Sequence, residues 1–517
     1  MKIYIYDTTL RDGAQGEGIN FSVEDKLEIV KALDSLGVDF IEGGNPFSSA
    51  LDKEFFQKAE KLKLKNSVLT AFGSTRRKNS AAKDDLNLNA LLESGCGYLA
   101  IVGKSRLPDV LNILNVSPAD NLNMIGESVE YLKSKGKKVI FDAENFFQSY
   151  KTDKEYAIEC IKRALAAKAD KICLCDTNGG AFPDEISKAV KKIKKLYKDV
   201  NICIHCHNDG GLAAANSIAA VLAGANEIQG TLTGCGERCG NANLSTVIPS
   251  LVLKKNYSCL NNDLSNLRYA ALKIAEISNI QLDDSLPYVG RNAFSHKAGM
   301  HSDAVLKDNN SFEHIAPELV GNERRYILSE MAGRSALINK ISDFFPRLKK
   351  DSPEIEKIMS GLKALSAEGW QFEGAEASFV LWIKKQLKEF KESFKLINLK
   401  CISEQPEAGK SASAILKVEV KGVSRISAGE GDGPVHAMDI ALRTALSEFY
   451  PCIKEITLKD YKVRVLNAQA ATAAKVRVLI TSTDGKNTWT TMGVSKDIIE
   501  ASYIALTDSI EYKLNYL

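Results

Sequence analysis

No stretch of this 517-residue chain is apolar enough for long enough to cross a bilayer, which takes about 20 consecutive apolar residues as a helix. The opening residues MKIYIYDTTLRDG carry no apolar core of the secretory kind and enter directly on a strand pattern. A charge field of one sign is also missing. Lys and Arg number 68 against 65 Asp and Glu, the net charge is +3, and the signs are interspersed. That speaks against nucleic acid as a partner and against an acidic disordered tail. The 11 cysteines are an odd number without framework spacing, so reduced thiols are expected rather than a disulfide scaffold. These absences describe a cytoplasmic protein with no membrane partner. Its 44% hydrophobic and 26% charged content is that of ordinary globular domains. At about 100–200 residues per domain, the length allows two to four of them.

What is present is a regular alternation. Strand-like runs occur at Ile3–Asp7, Val38–Glu42, Ser67–Phe72, Tyr98–Gly103, Lys138–Ala143, Lys171–Cys175, Asn201–His205 and Glu227–Thr231, each followed by a helix pattern. In the first helix Ser22 and Asp25 resemble a capping box, and Leu27, Val30, Leu33 and Leu36 recur at helical spacing. Eight strand–helix units in about 255 residues fit a (β/α)8 TIM barrel. An open doubly wound sheet is disfavoured, because the first turn lacks G-x-G-x-x-G. The run KAVKKIKKLYK (Lys188–Lys198) reads as a solvated outer helix with an apolar stripe of Val190, Ile193 and Leu196. The α/β fold is thus expected as a barrel over 1–270, mainly helical linker subdomains over 271–388, and a C-terminal α+β regulatory domain over 389–517. Turns are expected in the linker near Pro287, Gly290, Pro317 and Gly333. In the last region strand patterns at Ala414–Val420, Leu458–Leu466, Lys475–Ile480 and Thr488–Met492 alternate with helix patterns at Val435–Tyr450 and Lys496–Tyr512. They form two similar halves offset by roughly sixty residues, a duplication suited to symmetric binding or dimerisation.

In such a barrel reactive residues gather at the C-terminal ends of the strands. Arg11, Asp12, Glu42, Glu144, Asp176, Thr177, His205 and His207 fall there, and Glu237, Arg238 and Asn241 lie in the glycine-rich loop after the eighth strand. His205 and His207 are the sharpest signal. Residues i and i+2 of a strand share a face, so both imidazoles can reach one ion. A carboxylate such as Asp12 would complete the set and leave positions for substrate, a donor mix suited to Mg²⁺, Mn²⁺, Fe²⁺ or Zn²⁺. Cys206 has the opposite parity, so a zinc site built from Cys203, Cys206, Cys235 and Cys239 is disfavoured in favour of packed thiols. Arg11 offers a guanidinium for an oxyanion or a carboxylate, or a salt bridge to Glu144 or Glu42, with Glu144 favoured as the residue that holds it.

The stretches TLRDGAQ (Thr9–Gln15), HCHND (His205–Asp209) and GCGERCGN (Gly234–Asn241) resemble signatures of the acetyl-CoA-dependent 2-oxo acid condensing enzymes. Those include isopropylmalate-, homocitrate- and citramalate-forming branches and share an Asp–Arg–Glu set matching Asp12, Arg11 and Glu144. YDTTLRDGAQGEGINFSVEDK, DFIEGGNP, FDAEN, SHKAGMHSDAV and LSEMAGRSAL are most similar to the longer, citramalate-forming branch. The resemblance covers nearly the whole chain. It implies condensation of acetyl-CoA with pyruvate, and a divalent metal, Mg or Mn with Zn as the alternative. Asp12, His205 and His207 would bind that metal, with Asn241 adjoining or acting through water. Arg11 and Thr177 would hold the substrate, Arg11 and Glu144 would take part in catalysis, and His301 would assist proton transfer. A homodimer and feedback by isoleucine at the C-terminal domain are implied too, and AGEGDGPVHA (Ala428–Ala437), which leads into a helix N-terminus, is the candidate effector site. The branches acting on 2-oxoisovalerate or 2-oxoglutarate, a lyase or aldolase on the same barrel, and a non-enzymatic sensor are the competing readings. Two residues depart from the family pattern. Phe312 stands where a tyrosine is expected beside His301, and Asn45 replaces a bulky aromatic.

Overall fold

Runs rich in β-branched and aromatic residues form eight strands: β1 (Tyr4–Asp7), β2 (Phe40–Glu42), β3 (Val68–Ser74), β4 (Tyr98–Lys104), β5 (Lys138–Glu144), β6 (Lys171–Asp176), β7 (Ile202–Cys206) and β8 (Glu227–Gly230). Each pairs in parallel with the next, and β1 pairs with β8, so the sheet closes into a barrel. The computed structural model describes residues 2–296, 301, 304–305, 307–326, 334–342, 344–404, 409–466 and 473–517. Parts of SHKAGMHSDAV and LSEMAGRSAL, and the turn expected at Gly333, lie outside the described residues.

Strand parity sorts the side chains. On β7, Ile202, Ile204 and Cys206 join the core between barrel and helices, while Cys203 joins Tyr6, Phe40, Ala100, Ile140, Cys173 and Cys175 in the barrel's interior. His205 shares the inward parity of Cys203. The first helix, Val23–Leu36, opens with the expected capping box between Ser22 and Asp25 and closes on Gly37, whose φ of 90° favours glycine. In the outer helix Pro183–Leu196 the apolar stripe is shorter than expected. Val190 and Ile193 are buried, but Leu196, in the last turn, is 44% exposed.

The chain divides into two units, Met1–Phe294 with His314–Arg324, and Ser295–Glu313 with Arg325–Leu517. The second unit carries helices Pro353–Ala367 and Glu376–Gln386, then two three-stranded antiparallel sheets. The first sheet is β9 (Lys395–Ser403), β10 (Ala412–Val420) and β11 (Val423–Gly431), followed by helix Pro434–Leu446. The other is β12 (Thr457–Val465), β13 (Val476–Thr483) and β14 (Thr488–Ser495), followed by helix Ile498–Tyr516. The expected duplication is present: each half holds three strands and a helix, and the first half holds two strands more than its sequence pattern suggested. β9 escapes notice because a bulge between Leu396 and Asn398 breaks its alternation, and β11 because it is rich in Ser and Gly.

Glycine has one structural duty in both halves. A Cβ on Gly429 would lie 2.6 Å from the Ala437 carbonyl oxygen, and one on Gly493 would lie 1.9 Å from that of Ala501. Only a bare backbone lets each helix settle on its sheet. Part of the glycine content of AGEGDGPVHA is thereby explained by packing. Among the described residues, no helix is long and apolar enough to cross a membrane.

Candidate active site

His205, on β7, and His207, just past it, point their Nε2 atoms to within 3.2 Å of each other. Asp12, in the turn after β1, places Oδ2 3.3 Å from His205 Nε2 and 3.7 Å from His207 Nε2. All three side chains are buried. Donors bonded to one cation at about 2.1 Å sit about 3.0–3.4 Å apart at right-angled or tetrahedral positions, so this spacing fits a shared ion. Asp12 Oδ1 and Asn241 Oδ1 are buried without hydrogen-bond partners, which leaves oxygen lone pairs for a cation or its water. Asn241 adjoins the set because its backbone bridges that of His207. Burial opposes ionisation of Asp12, yet the Arg11 cation and the two imidazoles hold its carboxyl far below the usual range. Burial, then the neighbouring His205, pushes His207 down to about 4, which favours the neutral ring that ligates metals.

Arg11 is fixed on three sides. Its Nε donates to Glu42 Oε2 at 2.6 Å, its Nη1 to Asp12 Oδ2 at 3.1 Å, and its guanidinium carbon lies 4.1 Å from the centre of the Phe72 ring. The favoured expectation that Glu144 holds Arg11 is thereby corrected. β2 is the neighbour of β1 whereas β5 is not, so Glu42 is the carboxylate within reach. Glu144 instead pairs with Lys104 at 2.6 Å, from the facing rung of β4.

Thr177 follows β6. Its hydroxyl oxygen accepts from the Asn145 amide at 2.8 Å, and its carbonyl accepts from Arg238 Nη2 at 2.8 Å. Arg238 also grips both oxygens of Asp209, which laces the loops after β6, β7 and β8 together. Arg11, Asp12, Glu144, Thr177, His205 and His207 line one pocket of about 320 Å³.

Three site residues were not singled out from sequence. Tyr6 donates to Glu42 Oε1 at 2.8 Å from the barrel interior. Lys104 ends β4 and pairs with Glu144. Asp142 lines the pocket, and burial together with the charge of Glu42 pushes its carboxyl up to about 7. Its signal was parity: it precedes Glu144 by two residues on one strand. Asp176, by contrast, turns away from the pocket, accepting from the Ala181 amide and Asn216 at 3.3 Å.

Cys203 is buried against Glu227 and Cys206 lies in the outer layer, so the cysteines form no metal cluster among the described residues. Asn45 caps the turn after β2, accepting from the amides of Phe47 and Ser48. His301 belongs to the second unit, where its ring stacks on Phe312 with centroids 4.1 Å apart. A phenyl ring fills the place expected of a tyrosine and offers stacking without a hydroxyl.

Residues 2–279 match the family described as HMGL-like, 288–369 the homocitrate synthase post-HMGL domain-like family, and 373–514 the LeuA allosteric (dimerisation) domain. A relative from Aquifex aeolicus named (R)-citramalate synthase is 48% identical over 99% of this chain and 98% of its own. Relatives of the same name are 44% identical in Synechocystis, over 100% of this chain and 96% of theirs, and 43% identical in Geobacter sulfurreducens, over 99% and 98%.

Proposed function

This chain belongs to the HMGL-like family, in company with the (R)-citramalate synthases, and from that premise we propose that it condenses the acetyl group of acetyl-CoA with pyruvate and hydrolyses the thioester, releasing (R)-citramalate and coenzyme A. The observation that carries this reading is the convergence of Asp12, His205 and His207 beside Arg11 in one open pocket.

Asp12, His205 and His207, with Asn241 adjoining, would hold a divalent cation, Mg²⁺ or Mn²⁺ before Zn²⁺. Such an ion supplies Lewis acidity toward the keto oxygen of the 2-oxo acid. Arg11 engages Nε and Nη1 with Glu42 and Asp12, and its Nη2 is the donor assigned to the oxyanion that develops at that oxygen. Thr177 already accepts at its hydroxyl oxygen, so its own proton is the one to donate to the substrate carboxylate. Glu144, paired with Lys104 rather than needed to hold Arg11, is the carboxylate assigned to accept the acetyl methyl proton. The carbanion so formed bonds to the keto carbon, whose carbon–oxygen π electrons become the alkoxide, and the alkoxide takes a proton. Water then displaces coenzyme A from the thioester, and that step makes the reaction irreversible.

The match of residues 373–514 to an allosteric dimerisation domain supports a homodimer, for which we infer isoleucine as the feedback effector, and the balanced charge is in keeping with a cytoplasmic setting. Thiol release from acetyl-CoA, measured with pyruvate, 2-oxoisovalerate and 2-oxoglutarate in turn, tests the reaction. Pyruvate should be fastest, chelation should abolish release, and isoleucine should slow it. Equal or faster release with the branched acid overturns the choice of pyruvate. Cleavage of a 3-hydroxyacyl-CoA without any condensation makes the protein a lyase.

A further inference from the structure

The walls of the catalytic pocket are chemically unequal. Phe72, Val102 and Cys175 present apolar or weakly polar surface, and Asp142 lies among them. Asp142 is 4% exposed, and its Oδ1 has no hydrogen-bond partner. It faces Val102 across the β4–β5 ladder, one rung below the Lys104–Glu144 pair, on the side toward the barrel's interior. Gln229 is fully buried, close enough to that carboxyl to favour its ionised form by hydrogen bonding, and its amide atoms have no other partner. The other carboxylates nearby are engaged: Glu42 by Tyr6 and Arg11, Glu144 by Lys104. The deep end of the pocket is therefore polar and only partly satisfied, whereas Phe72, Val102 and Cys175 beside it offer little polarity and the charged groups at the strand ends are paired or grouped around the cation site.

We propose that Asp142 is a specificity-determining residue, the polar end wall that restricts the 2-oxo acid to a methyl-sized side chain. The inference rests on the condensation described above. The triad, Arg11 and Thr177 claim the keto and carboxylate groups at the strand ends, which leaves the acid's side chain to point inward, toward Asp142. A methyl group leaves room for water to satisfy the carboxyl and the Gln229 amide. An isopropyl group has to expel that water and cover both polar groups with carbon, and a buried polar group stripped of its partners is costly. In a merely apolar pocket an added methylene changes selectivity on the order of 10-fold, and stranded polar groups raise that figure.

The test compares kcat/KM for pyruvate, 2-oxobutyrate and 2-oxoisovalerate in the wild-type chain, Asp142→Val, Asp142→Ala and Asp142→Asn, with Mn²⁺ present throughout. The ratio of 2-oxoisovalerate to pyruvate should rise about 10-fold or more in the Val and Ala variants. Asp142→Asn keeps a polar end wall, so its ratio should stay within about threefold of wild type. The Ala variant adds space without an overpacked branch, so it reads the effect even where Val misfolds. An unmoved ratio in Val and Ala, or an Asn variant shifted as far as they are, overturns the role of Asp142 while pyruvate condensation stands. A wild-type chain that condenses none of the three acids overturns the functional reading, and this inference with it.

Discussion

Glu42 and Arg11 meet at 2.6 Å, carboxylate to guanidinium, between the end of β2 and the turn after β1. Tyr6 secures the other oxygen of Glu42 and in turn lies 2.8 Å from the Thr70 hydroxyl, so the arginine is anchored from inside the barrel. Glu42→Ala leaves a buried cation with only Asp12 beside it, and removing one partner of such a pair costs about 3–5 kcal/mol. Glu42→Gln still accepts from Tyr6 and should lose less stability, but both variants should lose kcat because Arg11 loses its charged anchor and keeps only Asp12 and the Phe72 ring. Urea unfolding with steady-state kinetics checks this. A Glu42→Ala chain that unfolds at the wild-type midpoint shows that the anchor lies elsewhere.

The convergence of Asp12, His205 and His207 predicts a metal-dependent gain in stability that needs no substrate. A ligand at 100 times its Kd stabilises the fold by about 2.7 kcal/mol. Chelated protein should therefore melt higher on adding Mn²⁺ or Mg²⁺, and His207→Ala and Asp12→Asn should not respond. Differential scanning fluorimetry at matched ionic strength reads this. Equal shifts in wild type and both variants would falsify a shared site.

Much of this was legible in the sequence, for a definable reason. Short apolar runs separated by helical stripes need no knowledge of partners, so the sequence places the barrel strands within two residues at their starts. The histidine pair was legible for the same reason, because parity alone puts His205 and His207 on one face. The anchor of Arg11 was not. Glu42 and Glu144 both end strands, and only closure of the barrel, with β2 beside β1, decides between them. Asp142 carries no strand-end signal, because it sits one rung beneath Glu144 within β5. β9 and β11 were missed because they lack clean alternation: the first is bulged, and the second gives up side chains for a helix to lie close.

That close approach gives a prediction for the second unit. A Cβ on Gly493 would sit 1.9 Å from the Ala501 carbonyl and 3.0 Å from Ile504 Cβ. Helix Ile498–Tyr516 would have to lift off β14, and overpacking of this kind costs about 1–3 kcal/mol. Gly493→Ala should make the C-terminal region of the full chain more sensitive to limited proteolysis. Gly485→Ala is not a clean control, since its φ of 85° adds strain of its own, whereas a Cβ on Gly433 meets nothing within 4 Å. If Gly493→Ala and Gly433→Ala are cleaved alike, the packing argument fails.

Asp508 supplies a pH dependence away from the catalytic pocket. It lies in helix Ile498–Tyr516, 8% exposed, where it accepts from the Ser378 hydroxyl at 2.7 Å and lies 3.4 Å from Lys385 Nζ. Burial pushes its carboxyl up, and Lys385 and Ser378 only partly oppose the rise. An acid with a higher pKa in the folded than in the unfolded chain binds more protons when folded, over the interval between the two values. Stability therefore falls as pH rises through that interval. The contribution is complete below the unfolded value, about 3.9, and is lost once pH passes the folded one. Asp508→Asn keeps the shape and an acceptor for Ser378 but cannot ionise. The stability of wild type relative to the variant should thus decline as pH rises above about 4, and level off once the buried carboxyl is ionised in the folded chain. Urea unfolding of both chains from acid to neutral pH, followed by the fluorescence of Trp370, Trp382 and Trp489 in the same unit, measures the difference. A difference that is flat, or that grows with pH, means that the buried carboxyl is as comfortable ionised as protonated, with Lys385 balancing the cost of burial in full.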